Sequence, residues 1–238
     1  MNIYKTNAEL RALARTHMFG NYKPAIGAYV LMNLILMVIS LSTPSVTSGS
    51  LISQLIGGVS YIFVLLLSGL FSSGSAYLYL NIICGRPVSA SMIFYGFRNH
   101  ASKALAVQAY ILIMQLIVSV PFILAYIYFI IDGANIAMIG CILTLLVAIV
   151  GVIYISLSVL PAFYLLHDFP DYTPRQILEK SRSLMSGNIK RALLLSVSFI
   201  PMDLLSFLSL GIGALWVEPY KNATYAEFFL DLIKNKKD

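Results

Sequence analysis

The sequence predicts an all-α membrane protein: a polytopic helix bundle of about six spans, built as three parallel hairpin repeats. Three observations carry that prediction. First, 59% of the 238 residues are apolar and only 11% are charged, whereas a soluble domain carries roughly 25% charged residues. Second, no charged residue lies between Lys23 and Arg86, between Lys103 and Asp132, or between Asp132 and Asp168. Third, an amphipathic phrase recurs. Residues 6–25 read TNAELRALARTHMFGNYKPA and residues 173–192 read TPRQILEKSRSLMSGNIKRA. Aligned without a gap, the two share Thr6/Thr173, Arg15/Arg182, Met18/Met185, Gly20/Gly187, Asn21/Asn188, Lys23/Lys190 and Ala25/Ala192.

The chain opens on a predicted interfacial helix. Thr6 and Glu9 form the two ends of a capping box. Leu10, Leu13, Ala14, His17 and Met18 fall on one face, while Lys5, Arg11 and Arg15 fall elsewhere; such helices lie in the membrane interface with basic side chains at the head groups. Gly20 is expected to close the helix as a left-handed C-cap. Asn21 and Lys23 complete an elbow from which the lysine can snorkel. A spanning helix needs roughly 20 apolar residues. The first charge-free gap therefore holds two spans, near 24–43 and 57–83, joined by a polar turn over 42–50. In lipid these segments are helices, because each must satisfy its backbone polar groups internally.

The middle repeat is worn. Only Asn99-His100-Ala101-Ser102-Lys103-Ala104-Leu105 keeps the elbow pattern, with Lys103 as its lysine. Spans are expected near 104–130 and 138–166, with Asp132-Gly133-Ala134-Asn135 as the turn and a kink at Pro121. In the third repeat Thr173 is the N-cap, Pro174 takes N1 and Gln176 takes N3. Ile177, Leu178, Ser181, Leu184 and Met185 make the apolar stripe, and Gly187, Asn188 and Lys190 make the elbow. A fifth span follows from Arg191 to near Leu210. Gly211-Ile212-Gly213 permits a reversal, and a last helix starts near Ala214. Glu218, Pro219, Lys221 and Glu227 interrupt that helix. Two readings stand for its charges: a buried network with Asp203, or a helix lying partly in the interface with its charges hydrated. The hydrated reading is favoured.

Charge placement predicts orientation. With a return pass at the end, every Lys and Arg except Lys221 falls on one side, which the positive-inside rule makes cytoplasmic, termini included. The expectation is thus one integral domain over 1–238 in the plasma membrane, with repeat units of about 6–83, 89–167 and 173–236, each preceded by a cytoplasmic interfacial helix. The net charge of +6 points to anionic lipid head groups as partners and not to nucleic acid.

The C-terminal pattern comprises Leu160-Pro161-Ala162-Phe163-Tyr164, Ser181-Arg182-Ser183-Leu184-Met185-Ser186-Gly187-Asn188 and Leu210-Gly211-Ile212-Gly213-Ala214-Leu215-Trp216, with Pro219-Tyr220 and Thr224. On these residues the chain resembles a family of bacterial integral membrane proteins catalogued as domain of unknown function 975. The opening Leu10 to Arg15, and Gly20-Asn21 before Lys23, are similar as well. The resemblance implies a membrane fold and brings no activity, substrate or site.

Candidate chemistry is sparse. Asp203 is the one acidic residue well inside a predicted span, and intramembrane carboxylates often mark proton or ion paths; its other reading is a boundary residue paired with Lys221. Asp203, Glu218 and Lys221 together form the candidate polar path or ion network. His17, His100 and His167 fall at the same ends of membrane segments, at spacings unlike a helix-borne zinc motif. Cys84 and Cys141 form no ligand pair. Ser72-Ser73-Gly74-Ser75, and Gly140, Thr144 and Ala148, read as helix-packing faces. No catalytic set, cofactor loop or metal site stands out, so the expectation is a non-enzymatic scaffold or accessory subunit that binds lipids or other membrane proteins. The alternative is a small transporter or channel through the bundle interior.

Overall fold

The computed structural model describes residues 4–41, 51–133 and 135–235. The predicted turn over 42–50, Ala134 of the second turn, and Lys236 and Lys237 lie outside them. Within the described residues the chain is all-α. In order, α1 (Asn7–Met18), α2 (Tyr22–Leu41) and α3 (Leu51–Ile83) are followed by a 3-10 turn (Ala90–Phe94), α4 (Tyr95–Arg98) and α5 (Ala101–Asp132). Then come α6 (Asn135–Ser158), α7 (Ala162–Asp168), α8 (Pro174–Met185), α9 (Ile189–Val197), α10 (Ile200–Leu208) and α11 (Ala214–Asn235). Five stretches are long and apolar enough to cross a membrane: 22–41, 52–83, 101–131, 135–168 and 189–208. The three middle stretches cover the spans expected from the sequence, and the first and last overlap theirs but end two residues earlier, at Leu41 and Leu208.

Helix length explains where the core sits. The 33 residues of α3 reach about 50 Å at a rise of ~1.5 Å per residue, well beyond a hydrocarbon layer of about 30 Å. One end of each long helix carries the packing. Phe71, Leu78 and Ile82 of α3 and Ala104 and Val107 of α5 are buried with Leu165, Leu195 and Phe228. The opposite ends stay apolar and uncovered. Ile127, Tyr128, Ile130 and Ile131 of α5 are all exposed, the last at 78%. The molecule thus has a packed end and an open end.

α1 and α8 close the packed end, and their local structures match in detail. Thr6 and Thr173 are N-caps with φ/ψ of −71/158 and −71/156, each in a complete capping box with Glu9 and Gln176. The Thr6 N–H donates to Glu9 Oε2 at 2.7 Å and the Thr173 N–H to Gln176 Oε1 at 2.8 Å; the Thr6 bond holds the Glu9 carboxyl below its ordinary pKa. Both helices leave through a type II turn, in which the glycine takes the expected left-handed φ. Phe19 (−61/121) and Ser186 (−58/120) are extended, Gly20 and Gly187 follow at φ 86 and 83, and the Asn21 and Asn188 N–H groups donate to Met18 and Met185 carbonyls at 2.9 and 2.8 Å. That turn needs positive φ at its third residue, which glycine adopts without strain.

The predicted apolar stripes are correct, but protein covers them instead of lipid. Leu10, Ala14 and Met18 of α1 are fully buried with Leu13 and His17 partly so, and all five stripe residues of α8 are buried. The middle segment differs from its predicted form. Instead of a third amphipathic helix it has the 3-10 turn, the one-turn α4, and His100 at φ 56 before α5. Close backbone packing accounts for this: a Cβ on Gly74 would sit 1.9 Å from the Ile93 carbonyl oxygen, and one on Gly96 2.2 Å from that of Leu70. A two-turn amphipathic helix does not fit so near α3.

Candidate functional site

The last hairpin is built by polar pairs that fix its register. Pro201 has no N–H to close the helix on Val197, so α9 and α10 break around Ser198–Phe199. α11 then returns antiparallel. Arg191 meets Asp231 at 2.6 Å, Ser196 Oγ meets the Tyr225 hydroxyl at 3.0 Å, and Lys221 Nζ donates to Asp203 Oδ1 at 3.2 Å. The end of α11 therefore lies level with the start of α9.

The candidate residues Asp203, Glu218 and Lys221 are brought together. Lys221 Nζ is 2.6 Å from Glu218 Oε1 and bridges it to Asp203. Two carboxylates and one ammonium leave a formal charge of −1 on the cluster. Its members differ in setting. Asp203 is half-exposed, with 43% of its side chain accessible, and lines none of the described cavities. Glu218 faces a chamber of about 420 Å³, with Tyr29, Ser72, Ser75, Tyr164 and Asn222 among its walls.

Two further charges of α11, Glu227 and Asp231, are buried while Lys234 is exposed, so for Glu227 the hydrated reading favoured from the sequence does not hold. Glu227 and Asp231 lie on the buried face of the helix with Phe228 and Leu232. His17 Nδ1 is 2.6 Å from Glu227 Oε1, whose side chain is 6% exposed. Arg191 Nη2 donates both to Asp231 and, at 2.8 Å, to the Lys5 carbonyl. A buried carboxylate survives only when paired or hydrogen-bonded, and α1 and α9 supply those partners.

Each elbow has its own partners. Gly20, Asn21, Gly187 and Asn188 form the two turns described above, Lys23 and Lys190 are exposed, and Lys103 Nζ donates to the Pro170 carbonyl at 2.5 Å. His167 Nε2 lies 2.8 Å from the Ser73 carbonyl and edge-on to the ring of Tyr95, far in role from His17. Among the described residues no group of His, Cys, Asp and Glu is arranged to hold a metal.

A family model described as a protein of unknown function, DUF975, matches residues 1–236. The chain belongs to that family. No curated protein matches the chain, and no solved structure does.

Several features of this DUF975 protein were outside the reach of the sequence. Arg191 reads there as the first residue of a span, and its pairing with Asp231 depends on a return pass. A usable signal existed: Glu227 and Asp231 stand four apart around Phe228, so both carboxylates share one helix face with a large apolar group. The small-residue readings split. Gly74 packs against the 3-10 turn, but Gly140 has open space where a Cβ would go, and Thr144 Oγ1 bonds to its own helix at the Gly140 carbonyl. The close approach of α5 and α6 occurs instead at Gly151, under Val118.

Proposed function

We propose that this protein is a non-enzymatic membrane scaffold or accessory subunit, with three parallel hairpins spanning the bilayer and both termini in the cytoplasm. The packed, basic end faces the cytoplasm and the open end lies in lipid. The observation that carries this reading is the uncovered apolar surface of the open end, where α5 and α6 pack on one another but leave large apolar side chains such as Leu116, Leu124, Ile127, Leu146 and Val150 exposed. Among helices in lipid, association comes from packing and hydrogen bonds and not from a hydrophobic drive, so bare hairpins offer surfaces for the helices of a partner. The antiparallel register of α11 on α9 and α10 supports a return pass, and the matched α1 and α8 support an internal repeat. A photo-crosslinking residue at Leu124 of α5, 62% exposed, tests the partner in native membranes. A discrete, stoichiometric protein adduct is expected there and not at buried Leu165; adducts with lipid alone at Leu124 would sink the reading. A cysteine added after Asp238 should react only in opened cells, and labelling in intact cells would overturn the topology.

A second reading, a small transporter, draws on the chamber beside Glu218. The Lys221 ammonium that engages both carboxylates speaks for a structural cluster instead, because it fills the site a cation would take. Proteoliposome flux compared between wild type, Asp203→Asn and Glu218→Gln decides: flux that depends on either carboxylate favours transport.

A further inference from the structure

We propose that Arg15 and Arg182 mark two repeat-related grooves, each holding the phosphate of an anionic phospholipid from the inner leaflet. The proposal rests on the reading of α1 and α8 as helices lying where the hairpins enter the membrane.

The two arginines are equivalent in the repeated phrase, and each faces a cavity of about 500 Å³. The cavities share part of their construction, although the Arg15 cavity has a further wall from Met202, Leu205, Ser206 and Ser209 that the Arg182 cavity lacks. One is bordered by Arg182 of α8 and by Ile189, the first residue of α9; the other by Arg15 of α1 and by Tyr22, the first residue of α2. Tyr22 and Ile189 are themselves equivalent positions. The facing wall comes each time from the second helix of a hairpin, at positions i, i+1 and i+4: Tyr154, Ile155 and Ser158 of α6, and Trp216, Val217 and Tyr220 of α11. Each wall supplies an aromatic ring, a β-branched side chain and a hydroxyl. The pattern gives an amphiphile an apolar side and a polar end.

Charge selects the occupant. Two neighbouring arginines are matched, Arg175 with Glu179 and Arg191 with Asp231, and Arg11, one turn before Arg15 on α1, borders a neighbouring cavity with it. Among the described residues, neither Arg15 nor Arg182 meets a carboxylate. The Arg182 guanidinium instead contacts the Met114 sulfur of α5, a weak acceptor on a membrane-crossing helix. A guanidinium held at that surface without a counter-charge suits a phosphodiester, which accepts its parallel N–H groups in a bidentate pair. Inner-leaflet anionic lipid is the source of phosphate at this depth.

The test uses the full chain in nanodiscs of zwitterionic phosphatidylcholine with a minor share of phosphatidylglycerol, and native mass spectrometry to count retained lipid. About two phosphatidylglycerol molecules per chain are expected, enriched about fivefold over their bulk share. Arg15→Gln and Arg182→Gln should each remove one and the double variant both, while Arg175→Gln on the same helix should keep both. Ser186→Trp fills the α8 groove with its arginine intact and should also remove one. Monodisperse elution and an unchanged helical circular dichroism spectrum qualify each variant; where an arginine variant does not fold, the tryptophan variant decides for its groove. Retention that mirrors bulk composition, equal loss in Arg175→Gln, or displacement by millimolar inorganic phosphate would each overturn the proposal. The Leu124 crosslink does not depend on these arginines, so loss of lipid with an intact adduct, or the reverse, separates this proposal from the scaffold reading.

Discussion

Arg191 and Asp231 meet 2.6 Å apart between the first turn of α9 and the last turns of α11, with the carboxylate side chain only 1% exposed. The same guanidinium lies over the rings of Tyr4 and Phe228, at 4.6 and 5.0 Å, and bonds to the Lys5 carbonyl. One side chain thereby ties the N-terminal segment, the fifth apolar stretch and the final helix together. Removing one partner of a buried pair costs about 3–5 kcal/mol, because the other charge is left uncompensated. Asp231→Ala should lower the thermal unfolding midpoint in detergent sharply. The double variant Arg191→Met, Asp231→Leu should recover much of that loss, and a double variant no better than the single would show that the pair is not isolated from its surroundings.

Glu227 makes a different kind of contact. Its partner His17 comes from α1, and the side chain that is partly open to solvent is the histidine. Glu227→Gln keeps a hydrogen-bonding group beside the imidazole and should cost about 1 kcal/mol, whereas Glu227→Ala removes it and should cost about 1–3 kcal/mol. The readout that separates docking of α1 from global stability is proteolysis near the N-terminus. Glu227→Ala should speed cleavage between Thr6 and Asn21 before the bundle unfolds; unchanged cleavage would mean that the buried Leu10, Ala14 and Met18 hold the helix alone.

Two glycines in the long helices should respond oppositely to alanine. At Gly74 the new methyl would meet the Ile93 carbonyl oxygen at 1.9 Å, with backbone on both sides, so the 3-10 turn must move away from α3. Loss of folded protein is expected. Gly140 has nothing within reach of a Cβ, and alanine there should raise stability by about 0.5–1 kcal/mol through helix propensity. Parallel thermal melts check both, and a destabilised Gly140→Ala would require a contact that this packing does not contain.

Periodicity carried far in this chain, and charge carried less. The five α8 stripe residues were legible because an amphipathic pattern depends only on neighbours in sequence, and all five are buried. What covers them was not legible: a helix that meets lipid and one that meets protein need the same apolar face. The long helices likewise announced themselves, yet which third of each would pack depends on contacts such as Gly74 with Ile93. The Asp203, Glu218 and Lys221 cluster was found because its members fall in a predicted hairpin. His17 with Glu227 escaped because its partners are 210 residues apart, and no local spacing encodes that.

The two elbows offer the sharpest check on the repeat itself. Gly20 and Gly187 hold φ of 86 and 83 in turns whose preceding residues differ by only a few degrees, and neither has an atom within 4 Å of where a Cβ would stand. The cost of alanine at each is therefore conformational and not steric, about 1–2 kcal/mol. Asparagine tolerates positive φ better and should cost less at both sites. If the phrase is one structural unit used twice, Gly20→Ala and Gly187→Ala should destabilise by similar amounts, and Asn should relieve each in the same proportion. Melts of the four single variants measure this directly. A Gly187→Ala effect several times that of Gly20→Ala would show that the turns share a shape but not a load, since only the α8 turn leads into the helix that carries Arg191.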